Sequence, residues 1–134
     1  RVYKITPDGQ VSIFVDGKPL DTPNGVAIDQ EGNVVVVNVG NNDVMTFDPA
    51  TGKLIRTEHA AEGGNDGLVI LEDGTKYVSS VRFGSVSEIR PGQPAKVIAA
   101  GIPSAASMGY DPKHKQLIIP MNNNNAVAFI KLAD

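Results

Sequence analysis

The chain has no cysteine, which excludes disulfide frameworks and thiolate metal centres and leaves its redox compartment open. No apolar run approaches the roughly 20 residues that a bilayer-crossing helix requires, so no membrane span is expected. Positive charge is sparse: twelve Lys and Arg stand singly along the chain against fifteen Asp and Glu, for a net charge of -3. A phosphate backbone finds no basic stripe to follow, and nucleic acid is excluded as a partner. There is no Ser-His-Asp order, no Gly-rich phosphate loop and no EF-hand spacing. The opening "RVYKITPDG" carries neither an initiator Met nor a signal-type apolar stretch. The expectation is that any targeting segment has been removed or was never in this piece, with a soluble, secreted or periplasmic setting favoured.

What is present is turn chemistry and a repeat. Fourteen Gly and nine Pro in 134 residues leave no helical window, since each interior Gly costs a helix about 1 kcal/mol and each Pro about 3. A shift of 42 carries Asn24-Gly25 onto Asp66-Gly67, Gly32 onto Gly74, Val35 onto Tyr77, Val44 onto Val86, Phe47 onto Ile89 and Pro49 onto Pro91. The same shift places Val2, Ile5 and Pro7 on Val44, Phe47 and Pro49, so the chain starts inside a repeat. A looser third copy, "SMGYDPKHKQLIIPMNNNNAVAFI", fits at a shift of 82 to 83. Each unit reads as short strands, "GVAID", "NVVVVNV", "DVMTFD" and "KLIRTE", punctuated by "DQEGN" and "LEDGT" hairpins and by "DPATGK" and "RPGQP" loops.

Four antiparallel strands recurring every forty-odd residues predict an all-β chain of β-propeller blades. The units divide as 1-20, the last two strands of a blade; 21-62, a blade; 63-103, a blade; and 104-134, three strands of a closing blade. About three four-stranded blades are thus present, whereas propellers close with about four to eight. The remaining half of the propeller, from the same protein or another chain, is the partner this reading requires.

The residues "PNGVAIDQEGNVVVVNVGNNDVMTFDPATGKLI", "NDGLVILEDGTKYVSSVRFGSVSEI" and "SMGYDPKHKQLIIPMNNNNAVAFIKL" resemble the gluconolactonase family, the regucalcin-like six-bladed propellers, and more distantly the NHL-repeat propellers. The resemblance covers nearly the whole chain, which is similar to the C-terminal half of such a six-bladed ring. It implies a metal-dependent hydrolase of lactones or similar small esters. In such proteins the Asn of Pro-Asn-Gly and the Asp of the next Asp-Gly help hold a divalent metal in the channel; those positions are Asn24 and Asp66 here. It further implies that Asp66 or a neighbour takes a proton from the attacking water.

Blade geometry places Asn24 and Asp66 at the central axis, ringed by "VGNND", "VRFGS" and the Asn122 to Asn125 run. Oxygen donors without sulfur or a His cluster favour a hard cation, calcium before zinc. The third blade has Ala106 where Asn24 and Asp66 stand, and so no matching ligand. His59 is a candidate base on the same side, or a solvated strand-end residue; His114 falls on the opposite face. Arg82, Asn41 and Asn123 are the candidates for binding a lactone or sugar-derived ligand at the mouth. Asn-Gly and Asp-Gly are also the commonest tight-turn dipeptides, so a purely structural role stands beside the ligand role. A noncatalytic propeller binding a sugar, peptide or protein is the alternative function.

Overall fold

The computed structural model describes residues 1–133; Asp134, the end of the closing segment, lies outside them. Among the described residues there are thirteen strands and no helix. A first sheet pairs β1 (Val2–Ile5) with β2 (Val11–Val15). A four-stranded meander follows, β3 (Pro23–Ile28), β4 (Val34–Asn38), β5 (Asp43–Phe47) and β6 (Leu54–His59), and then a second, β7 (Asn65–Ile70), β8 (Lys76–Ser80), β9 (Ser85–Ile89) and β10 (Lys96–Ala99). The last sheet holds β11 (Gly109–Asp111), β12 (Gln116–Met121) and β13 (Ala126–Lys131). All pairings are antiparallel.

The valine run of β4 is explained by burial on both faces. Val35 and Val37 pack with Leu68, Val78 and Ile89 of the next sheet, whereas Val36 turns to the other side and packs with Val15, Leu20, Met45 and Phe47. A third layer joins Tyr77 and Val86 to Leu117 and Ile119. A strand buried on both faces takes apolar residues at successive positions, so alternation disappears in β4, whereas β8 and β9 are as deeply buried but keep polar residues such as Ser79 and Ser87. Each such side chain, removed from water, stabilises the stack by about 1.5–3 kcal/mol. An ion pair also crosses one seam: Lys76 Nζ, nearly buried, lies 2.9 Å from Glu58 Oε2.

Hairpin chemistry agrees with the sequence. Gly32 has φ 83° in the turn after β3, where Asp29 Oδ1 accepts from Glu31 N and Asn33 N at 3.0 and 2.8 Å. Asn-Gly and Asp-Gly, in contrast, are not turns. Both dipeptides lie inside strands, in bulges where Pro23 pairs with Asn38 but Val26 with Val36, and Asn65 with Ser80 but Leu68 with Val78. One extra residue on the inner strand kinks it and re-aims the side chains there. Gly25 and Gly67 are needed because the next repeat presses on them, β7 at Gly25 and the segment leading into β11 at Gly67. Gly25 lies against the Asp66 carbonyl; a Cβ on Gly67 would sit 2.7 Å from both the Ala106 carbonyl oxygen and the Met108 amide nitrogen. Close approach, rather than a left-handed turn, is what selects glycine here.

Apolar side chains remain exposed on the outer sheets. Tyr3, Ile5, Val11 and Ile13 share one face of the first hairpin, and Val127 and Phe129 stand out from β13. No helix of the described residues is long and apolar enough to cross a membrane.

Candidate functional site

The bulges at the starts of β3 and β7 bring Asn24 and Asp66 together. Asn24 Nδ2 donates to Asp66 Oδ2 at 3.3 Å across the seam between the two four-stranded sheets. The other carboxylate oxygen is also held: Ser107 Oγ donates to Asp66 Oδ1 at 3.2 Å. Two adjacent sheets and the segment leading into β11 therefore meet at one carboxylate. Ser107 was not singled out in the sequence. The signal for it was one place further along the repeat than Ala106, where the third copy substitutes a hydroxyl residue for Gly25 and Gly67.

The backbone around this cluster is firmly seated. Ser79 is fully buried; its hydroxyl accepts from Gly67 N at 2.7 Å and donates to the Ala106 carbonyl at 2.7 Å. Asn65, also fully buried, donates to the carbonyls of Glu62 and Ser79 at 2.8 and 3.3 Å. These bonds satisfy backbone groups that the bulge takes out of the ladder.

The other sequence candidates divide. The pairings Pro23 with Asn38 and Asp43 with His59 place the start of β3 and the end of β6 at one end of the sheet, so His59 shares that end with Asn24. It is nevertheless on the outermost strand, three strand spacings or about 14 Å from β3. There its Nδ1 lies 3.0 Å from Asp43 Oδ1, and it borders a groove of about 380 Å³ with Ile89, Pro94 and Ala95. The structure does not bring His59 to Asp66. Asn41 is used within its own loop: its Oδ1 accepts from Asn38 Nδ2 at 3.2 Å and Asp43 N at 2.9 Å, and its Nδ2 donates to Asp43 Oδ2 at 3.1 Å. Arg82 is exposed in the β8–β9 loop with its Cβ against Gly64, beside the exposed Phe83. Asn123 is exposed in the four-residue turn between β12 and β13. His114, in the turn at the far end, has its Nδ1 2.6 Å from Asp111 Oδ2, and that imidazole is the main reason the Asp111 carboxyl sits below its usual range.

Asn24, Asp66 and Ser107 offer amide, carboxylate and hydroxyl oxygens and no sulfur or imidazole. That chemistry fits a hard divalent cation, calcium or magnesium, in kind. In number it is partial, since calcium takes about six to eight oxygens. Among the described residues no group of three or more His, Cys, Asp or Glu could hold a metal.

Solved structures share this architecture. A gluconolactonase from Xanthomonas campestris matches with TM-score 0.76 at 21% identity, over 98% of this chain and 44% of that one. A Kuenenia stuttgartiensis hydrazine synthase matches with TM-score 0.71 at 20% identity, over 87% and 34%. A virginiamycin B lyase from Staphylococcus aureus matches with TM-score 0.68 at 10% identity, over 98% and 48%. The fold is that of a β-propeller. The chain spans less than half the length of these structures, and identities this low carry the fold alone. No protein-family model and no curated protein matches the sequence.

Proposed function

We propose that this β-propeller chain carries part of the active site of a calcium-type, metal-dependent hydrolase of lactones or similar small esters. The observation that carries the reading is the Asn24–Asp66 pair, two oxygen-bearing side chains from adjacent inner strands in hydrogen-bond contact. Asn24 and Asp66 would hold the cation, with the rest of its oxygens coming from water and from the remaining blades of the ring, in the same protein or another chain. The apolar faces left exposed on the first hairpin and on β13 support such a completing half. When bound, the cation supplies Lewis-acid polarisation of the lactone carbonyl.

The chain's own groups do the remainder. The Asp66 carboxylate, through the oxygen not given to the cation, accepts the proton of the water that attacks the acyl carbon and returns it to the ring oxygen as the acyl C–O bond breaks. Arg82 and Asn123, on mouth-side loops, orient the hydroxyls of a sugar-derived substrate; Asn41 shapes its loop. Similarity in fold to a gluconolactonase is consistent with this chemistry. The test is lactone hydrolysis by the protein before and after removal of divalent metal, with Asp66→Ala alongside. Loss of turnover on chelation, recovery on adding calcium, and turnover at least about 100-fold lower in Asp66→Ala are expected. Full turnover after chelation would refute the reading.

One observation favours a second reading, a noncatalytic propeller that binds a sugar, peptide or protein. Phe83, 56% exposed beside Arg82 at the mouth, is the aromatic and arginine combination that anchors many binding surfaces. In that case ligand binding is unchanged by metal removal and is lost in Phe83→Ala.

A further inference from the structure

We infer that Ser107 is a positioning residue for Asp66, contributed by the segment that leads into the last sheet; the inference rests on the cation site proposed above. A carboxylate on a flexible stem can turn about its own axis, and a ligand that must be ordered on binding loses affinity for it. Here both oxygens are pinned from opposite sides, Oδ2 by Asn24 at 3.3 Å and Oδ1 by Ser107 at 3.2 Å. Two contacts, one from β3 and one from the segment before β11, fix the plane of the group.

The two contacts are chemically unequal. An asparagine that gives its carbonyl to a cation must turn its amide over, and its Nδ2 then leaves Asp66. A serine hydroxyl can keep donating to Oδ1 whether or not a cation is present, because its proton and its lone pairs are separate resources. Ser107 is therefore the contact that persists in both states and keeps one carboxylate oxygen engaged while the other stays free for a ligand. Partners of this kind, bonded to a ligating carboxylate, typically change metal affinity about 10- to 100-fold when removed.

Position supports the assignment. Ser107 is itself exposed, yet the backbone on both sides of it is fixed: the Ala106 carbonyl is bonded to buried Ser79 Oγ at 2.7 Å, and Ala106 and Met108 close on the open face of Gly67. The Ala106 N–H also donates to the Pro120 carbonyl at 3.2 Å. An exposed serine on a rigid frame costs little fold stability to change, so loss of its hydroxyl reads out on the site and not on folding.

The experiment is calorimetric titration of calcium alone into the complete ring, this chain together with its remaining blades, and into its Ser107→Ala, Ser107→Thr and Asp66→Ala forms, with urea midpoints measured for each. Ser107→Ala is expected to bind calcium about tenfold more weakly, Ser107→Thr within about twofold of the parent, and both to unfold at the parental midpoint. If Asp66→Ala abolishes binding while Ser107→Ala stays within twofold, the Ser107 role is overturned and the site reading stands. If Ser107→Thr is as weak as Ser107→Ala, the hydroxyl is not the cause and the inference falls. If the parent takes up no calcium, the site reading fails first and takes this inference with it.

Discussion

Replacing Gly67 with alanine is the sharpest probe of how the sheets meet. A Cβ there would stand 2.7 Å from the Ala106 oxygen and from the Met108 nitrogen, and 2.9 Å from Ser79 Oγ. Ordinary contact begins near 3.4 Å, so β7 and the segment around Ser107 must part by more than half an ångström. Two of the three obstacles are backbone and cannot swing aside. Overpacking of this kind costs about 1–3 kcal/mol. Parting also stretches the Ser79 bridge, and a buried amide or carbonyl left without its partner adds about 1–3 kcal/mol. The gain from restricting the unfolded chain, about 0.4–1 kcal/mol, offsets only part of this. A net loss of about 3 kcal/mol follows, a large share of the roughly 5–15 kcal/mol that holds a typical domain together.

Gly109 supplies the control. It lies in a strand, has no positive φ, and has open space where its Cβ would go, so Gly109→Ala should be neutral or stabilising by up to about 1 kcal/mol. Urea unfolding followed by far-ultraviolet circular dichroism suits a chain without tryptophan. With slopes of about 1–3 kcal/mol per molar urea, Gly67→Ala should unfold at least about 1 M earlier than the parent. Equal midpoints for the two alanine variants would show that the seam does not pack as described.

Two further outcomes follow from side chains away from the hub. The Tyr77 phenol is pushed up to about 12, first by burial and then by the Glu88 carboxylate, to which its hydroxyl donates at 3.2 Å. Because the folded value is raised above the ordinary phenol value of about 10, this contribution to stability is complete below about pH 10 and is lost as pH rises toward 12. Glu88→Gln should bring the phenolate absorbance step down below 12, and an unchanged step would rule out the carboxylate as a cause. His59→Ala, remote from Asp66, should leave calcium affinity within about twofold of the parent in the same titration; a larger drop would place the imidazole at the site after all.

The repeat alone determined that the chain builds four-stranded units, because period-two apolar runs between Gly and Pro turns admit few other structures. It also placed Asn24 and Asp66 at equivalent positions, since a 42-residue shift superposes them whatever the fold. Tertiary structure decided the rest. That Asn24-Gly25 and Asp66-Gly67 are bulges and not turns depends on a neighbouring strand pressing against the glycines, a contact made by residues some forty places away in the chain. His59 reads as a neighbour of Asp66 in the chain, seven residues before it, but it ends β6 at one edge of its sheet, whereas Asp66 lies in β7, which packs against β3 at the opposite edge. Ser107 became visible only when the segment leading into the last sheet docked and brought its hydroxyl to Asp66. Local turn and strand preferences are written into a few adjacent residues. Which side chains meet at a shared axis is set by how separate sheets pack, and that depends on surfaces assembled from the whole chain.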